Sequence, residues 1–478
     1  MVNCFAALLQ AFRTPKRRGA IVPQSGAAAK TQYGLSGEAP VLVDDPPPSY
    51  PLSKLDGVLN ADVLKTIDDA ISDLDPSLRE LNLDIHDHPE IMWEEKHAHD
   101  VLTKYMESRG WAVTRHYLGF DTAWRAEWSH GTGGNVVGVN SEMDALPGIG
   151  HACGHNLIAI AGVAVAIAIK TSMEKHNISG KVILLGTPGG AAPSCLTSSA
   201  AEEGGAGKVE LLKRGAYREM DVCVMCHPGP GHPKAAAVST TLAIQDVQVE
   251  YHGHTAHAGA QPWEGRNALD AAVLAYNAVS VLRQQIKPTH RIHGIIEGRD
   301  WAPNIIPDYA KMRWLVRAPT SDEAQALSER LVNCIKAAAL ATACEPDIKV
   351  GHLLKDLRNN LTLGTSWGNI TYGKLSQHLV LSSVSNLASS ALPALHPGYS
   401  IPAEPNGGNH TAAFAEAART EEAHARTLVI SKALAMTGVR VLTDNEFLKE
   451  VRCSDERLGR TIHIHPQVKR EFIAQAAH

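Results

Sequence analysis

The sequence lacks a strong charge of either sign: 45 Lys and Arg against 50 Asp and Glu leave a formal net charge of -5 over 478 residues. Without a basic field or a polybasic segment, nucleic acid and membrane surfaces are excluded as expected partners, and a small molecule is favoured. Cysteine is too thinly spread for a disulfide framework, since Cys4, Cys153, Cys195, Cys223, Cys226, Cys334, Cys344 and Cys453 follow no dense spacing. That pattern points to a reducing, cytoplasmic setting. Cys223 and Cys226 form a C-x-x-C, but within the apolar run Asp221-Val-Cys-Val-Met-Cys, which reads as a buried strand rather than a redox site. No apolar run reaches the roughly 20 residues of a membrane span. At the N-terminus a short apolar patch runs into Lys16-Arg17-Arg18 without a small-residue cleavage site, a poor secretory signal.

What is present is a globular composition, 44% apolar and 20% charged, with 24 histidines. The length exceeds one ordinary core and predicts two domains, or one large domain with an insertion. Residues 1–55 are rich in Ala, Gly, Pro and Ser and read as a disordered tail. The tail ends in Pro47-Pro48-Ser49-Tyr50, a PPxY sequence of the kind that WW domains bind. From Ala61 the apolar spacing turns helical, and a second helix is expected from Glu94 to Gly110. His86, His88, His97 and His99 in this region read as solvated surface residues.

Short strands follow at 112–114, 122–128 and 135–139, then a buried helix at 157–169 and a core strand at 181–186. This alternation predicts an α/β/α sheet domain over 56–241 and 353–453. A period-two strand at 243–251 opens a smaller α+β unit over 242–352, expected to be an inserted lid or dimerisation domain, and 454–478 reads as a loose tail.

Between strand and helix lies Ser141-Glu-Met-Asp-Ala-Leu-Pro-Gly-Ile-Gly-His-Ala-Cys-Gly-His-Asn156. Cys153 and His155 offer a thiolate and an imidazole two residues apart, both ligands for zinc or a similar ion. Glu202-Glu203, His227 and Asn409-His410-Thr411 also fall where expected strands give way to loops. Together they supply one thiolate, three imidazoles and a carboxylate, enough for two adjacent metal ions, with the spare glutamate left as a base. Bound metal lowers the pKa of water toward neutrality, which makes hydrolysis the fitting chemistry.

These stretches, with Gly186-Thr-Pro188, His257-Ala258, Gly265-Arg-Asn-Ala-Leu269, Arg317-Ala318 and Glu421-Glu-Ala-His424, resemble peptidase family M20 over about residues 60–452. The resemblance is to the amidohydrolase and aminoacyl dipeptidase branch. It implies Cys153, His155, Glu203, His227 and His410 as ligands of two divalent ions, zinc first, with manganese or cobalt as alternatives. Glu202 would be the general base and Asp144 would orient a ligand. His257, Asn304 and Arg317 would grip the substrate from the inserted domain, His257 across a homodimer interface. The implied activity is cleavage of an amide in a dipeptide or N-acyl amino acid. A biosynthetic or amide-forming reaction on a conjugate is the alternative within enzymes, and a metal-binding pseudoenzyme or PPxY adaptor is the alternative outside them.

Two departures from the family pattern stand out. Residues 189–200 separate Thr-Pro from Ala-Glu-Glu where relatives join them directly, so this stretch is a lineage-specific loop or an in-frame retained intron. Ser382-Ser-Val-Ser-Asn-Leu387 replaces a Ser-Thr-Asp-like segment and lacks its acidic residue.

Overall fold

The computed structural model describes residues 59–189, 206–231, 236–238, 242–354, 356, 359–374 and 392–457. The PPxY sequence, Glu202, Glu203 and the segment 382–387 lie outside the described residues.

The main sheet is built from β1 (Ala112–Arg115), β2 (Trp124–His130), β3 (Val136–Glu142), β4 (Gly180–Thr187) and β5 (Val222–Val224). A short three-stranded sheet holds β6 (His227–Gly229) and β7 (Ala236–Ala237), and the inserted sheet holds β8 (Ala243–His252), β9 (Arg291–Glu297), β10 (Tyr309–Ala318) and β11 (Glu345–Leu354). β12 (Ala394–Leu395) completes the main sheet in the order β1-β2-β4-β3-β5-β12, and β13 (Gly398–Ser400) sits between β6 and β7. The helices are α1 (Ala61–Asp87), α2 (Lys96–Ser108), α3 (His155–His176), α4 (Ala206–Lys213), α5 (Ala268–Leu282), α6 (Ser321–Thr342), α7 (Leu361–Lys374), α8 (Ala412–Ala418), α9 (Glu421–Thr443) and α10 (Asn445–Arg457).

In the main sheet β3 runs parallel to both β4 and β5, so its carboxyl end opens onto the loops that follow it. α3 is apolar on all sides, and its residues from His155 to Ile169 are buried between the sheet, α1 and α9. By length and composition this helix has what a bilayer requires, contrary to the expectation from the sequence; its burial makes it the core helix instead.

The inserted unit is a four-stranded antiparallel sheet in the order β11-β8-β10-β9, with α5 and α6 packed on one face. Along β10 the residues Ala310, Met312, Trp314 and Val316 are buried in that core. Asn267 caps α5 through Leu269 N and Asp270 N, and Thr320 caps α6 through Glu323 N. The strand after α6, β11, was not anticipated.

One expected surface residue is not on the surface. His99 is buried with Ala98, Leu102 and Met106 on the inner face of α2, and burial lowers its pKa despite the Asp100 carboxylate at 3.2 Å.

Candidate metal centre

The carboxyl end of β3 releases the chain at Glu142 into a tight loop that carries Asp144 and returns to α3. Gly154 ends this loop at φ +80, a left-handed conformation that costs glycine little. A Cβ there would also stand 2.6 Å from Pro228 Cγ, so the missing side chain lets the Cys153-Gly-His155 turn press against the His227-Pro228 strand. Cys153 Sγ and His227 Nε2 consequently lie 3.3 Å apart. Cys153, His155 and His227 are all buried, and one ligand atom of each falls within 4.8 Å of the others.

Both imidazoles are held by their other nitrogen. His155 Nδ1 faces Asp144 Oδ1 at 2.7 Å, and His227 Nδ1 donates to Pro228 O at 2.7 Å. This leaves Nε2 of each ring for the shared centre, the tautomer arrangement of metal-bound histidines with a carboxylate or carbonyl behind them. His151 turns away, its ring donating from Nε2 to Ile85 O at 3.0 Å.

The electrostatics favour a cation. Burial alone would lower the pKa of His155, but the charges of Asp144 and Cys153 outweigh it and raise it well above the ordinary value. Glu142, with Oε2 3.3 Å from His155 Nε2, is pushed up by burial and more strongly down by Lys208, His155 and His227, to about 2. Lys208 is itself buried and donates to Glu142. A thiolate, two imidazoles with fixed tautomers and a surplus of nearby carboxylates form a donor set that fits a borderline divalent ion.

Other expected site residues lie further out. His410 is on the loop against this centre: its N–H donates to Ala152 O at 2.8 Å, and Asn409 Nδ2 reaches Pro228 O at 3.2 Å. Its side chain is exposed, and it is not a member of the 4.8 Å group. His257 and Asn304 are brought together, because Ala258 N donates to Asn304 O at 3.0 Å, and both are exposed. Arg317 is not with them: they flank the Tyr309 end of β10, and Arg317 is eight residues along that strand, about 27 Å at 3.4 Å per residue.

Sequence reasoning missed three buried groups. Glu95 is completely buried; Thr122 Oγ1 donates to its Oε2 at 2.7 Å and Gly189 N to its Oε1 at 2.6 Å. Burial, then the charge of Asp144, raises its carboxyl to about 8. His396 lies with its ring 6.0 Å from that of His227, and neither nitrogen has a hydrogen-bond partner among the described residues. The third is Lys208. The C-x-x-C is buried as expected, with Cys223 in β5 and Cys226 beyond the end of that strand, and burial pushes the Cys223 thiol up to about 12.

A mixed sheet with a buried cysteine and two buried histidines gathered at its strand ends, joined to an inserted antiparallel sheet, defines a class of two-part fold with a candidate metal centre. Residues 243–343 match the peptidase dimerisation domain of M20 proteins. The chain is 40% identical over 391 residues to the Xaa-Arg dipeptidase of Homo sapiens, covering 76% of this chain and 85% of that protein. To a p-aminobenzoyl-glutamate hydrolase chain of Escherichia coli it is 30% identical over 322 residues, 63% of each chain. Among solved structures, a Bacillus subtilis protein described as a dinuclear metal binding peptidase from M20 family superposes with a TM-score of 0.57 at 19% identity, over 78% of this chain and 99% of that one. The chain belongs to peptidase family M20.

Proposed function

We propose that this chain is a metal-dependent hydrolase of an amide or peptide bond, acting on dipeptides or N-acyl amino acids. The observation that carries the reading is the meeting of Cys153 and His155, at the start of α3, with His227, at the start of β6, and with Asp144 behind His155. Glu203 and His410 would complete the ligand set for a pair of divalent ions, zinc in the first instance. Such ions supply Lewis acidity toward a carbonyl oxygen and toward water.

The remaining work falls to the chain's own groups. The Glu202 carboxylate would accept a proton from the attacking water and deliver it to the leaving amine nitrogen. Asp144 holds the His155 ring in one tautomer. His257 and Asn304 would meet the substrate carboxylate from the inserted domain, and Arg317 would act at the other end of the β10 strand. Two copies would associate through residues 243–343, where Val273, Leu274, Tyr276 and Val281 leave apolar surface on the outer side of α5.

The human relative's name makes dipeptides with carboxyl-terminal arginine the first substrates to test, and that of the Escherichia coli relative adds p-aminobenzoyl-glutamate. Purified chain loaded with zinc or manganese is expected to cleave at least one of these, and Glu202→Gln to abolish turnover while bound metal is retained. Metal bound without turnover on the whole panel would sink the enzymatic reading. Comparing the chain with a deletion of residues 189–200 separates an enzyme from a protein whose chemistry that segment blocks.

A further inference from the structure

A second group of metal-ligating side chains lies outside the candidate centre. Asp84 in the last turn of α1, His88 just beyond it and His97 in the first turn of α2 each offer one ligand atom within 4.8 Å of the others. We infer that Asp84, His88 and His97 form a separate surface site for a divalent transition-metal ion.

The geometry is that of a coordination edge. Asp84 Oδ1 is 3.1 Å from His88 Nδ1 and 3.1 Å from His97 Nε2. Donor atoms around a tetrahedral zinc, each at about 2.0–2.1 Å from the metal, stand about 3.3 Å apart. The two rings lie beside one another, with centroids 4.4 Å apart, and present one nitrogen each to the same carboxylate oxygen. His88 Nδ1 also donates to Asp84 O at 2.8 Å, which places this ring one helical turn beyond its partner; an ion bound at this nitrogen takes the place of that hydrogen bond. Two imidazoles and one carboxylate select zinc, copper, nickel or cobalt over magnesium or calcium, which take oxygen ligands.

The backbone beneath the group is fixed by other residues. Glu90 accepts from His97 N at 2.9 Å and Ala98 N at 3.0 Å, which holds the start of α2 against the α1–α2 loop. The same loop is tied to the chain beyond Asp144 by Ala145 N donating to Glu90 O at 2.7 Å. All three side chains remain open to solvent, with His88 58% exposed, so an ion could reach them and retain water. Occupancy would cross-link α1 to α2 over the loop that ends in Glu95.

Cobalt titration of metal-stripped full-length chain tests the site. Cobalt at the candidate centre gives a thiolate charge-transfer band through Cys153, whereas cobalt at Asp84, His88 and His97 adds none. The wild type is expected to bind one more equivalent than the His88→Gln/His97→Gln double variant at micromolar free metal, with the same thiolate band in both. A Cys153→Ser variant is expected to lose the band and keep the surface equivalent. Equal stoichiometry in wild type and double variant, loss of the thiolate band in the double variant, or an extra equivalent that binds only at millimolar metal would each overturn the site.

Discussion

Asp144 Oδ1 and His155 Nδ1 are 2.7 Å apart, so a carboxylate delivered by β3 fixes the ring of the first residue of α3. Asp144→Ala removes both the acceptor and the charge; Asp144→Asn keeps an acceptor alone. Metal affinity, measured by chelator competition, is expected to fall roughly 10–100-fold in the alanine variant and less in the asparagine variant. Wild-type affinity in both would mean that Asp144 does not orient the ligand.

Glu95 makes stability pH-dependent. Its carboxyl is raised from the ordinary 4.5 to about 8 by burial and the Asp144 charge, so between those values the folded chain holds a proton that the unfolded chain releases. The stabilisation is fully present below 4.5 and is lost as pH rises through 8, on the order of 3 kcal/mol between pH 4.5 and 7. Glu95→Gln stays neutral throughout. Urea melts of metal-stripped protein at pH 4.5, 6, 7 and 8 are expected to show the wild type declining relative to this variant. Parallel pH profiles would show that the proton is not taken up on folding.

Gly189 is the close neighbour of Asp144 at the exit of β4. A Cβ at this position would stand 2.3 Å from Asp144 Oδ2, and the residue's N–H already donates to Glu95. Gly189→Ala is therefore expected to displace Asp144 and to lower kcat at least about tenfold, with KM changed little, as when an interaction made in the transition state is lost. A fully active variant would show that the loop yields without moving Asp144.

The outer side of α5 gives a test of assembly. Leu274 is 43% and Val281 74% exposed, while Ala271, Ala272, Ala275 and Val279 on the inner side are buried. Leu274→Glu with Val281→Glu is expected to leave the fold intact by circular dichroism and to shift the chain toward monomer in analytical ultracentrifugation. An unchanged sedimentation coefficient would remove this face from the interface.

Local patterns made much of the site legible. A strand, a glycine-rich loop and an apolar helix follow one another within residues 136–176, so the positions of Cys153 and His155 could be read without knowing what packs on them. His227 was also readable, as the residue where a buried run ends. β11 was not: Pro346, Asp347, Lys349 and Gly351 break its alternation, and as an edge strand it needs no continuous apolar face. Glu95 and Lys208 carry the most soluble of side chains, and only tertiary partners make their burial tolerable; neither Thr122 nor Glu142 is near them in sequence. His99 was misread for the opposite reason, since α2 buries the face on which it falls.

The burial of α3 has one more consequence. Its first residue is a candidate ligand, and the stretch from Leu157 to Ile169 behind it is packed in the core with residues of α1 and α9. Amide hydrogens of its buried stretch up to Ile169 are expected to exchange with solvent only when that whole cooperative unit opens, whereas those of the last turn, at Glu174 and Lys175, exchange by local fraying.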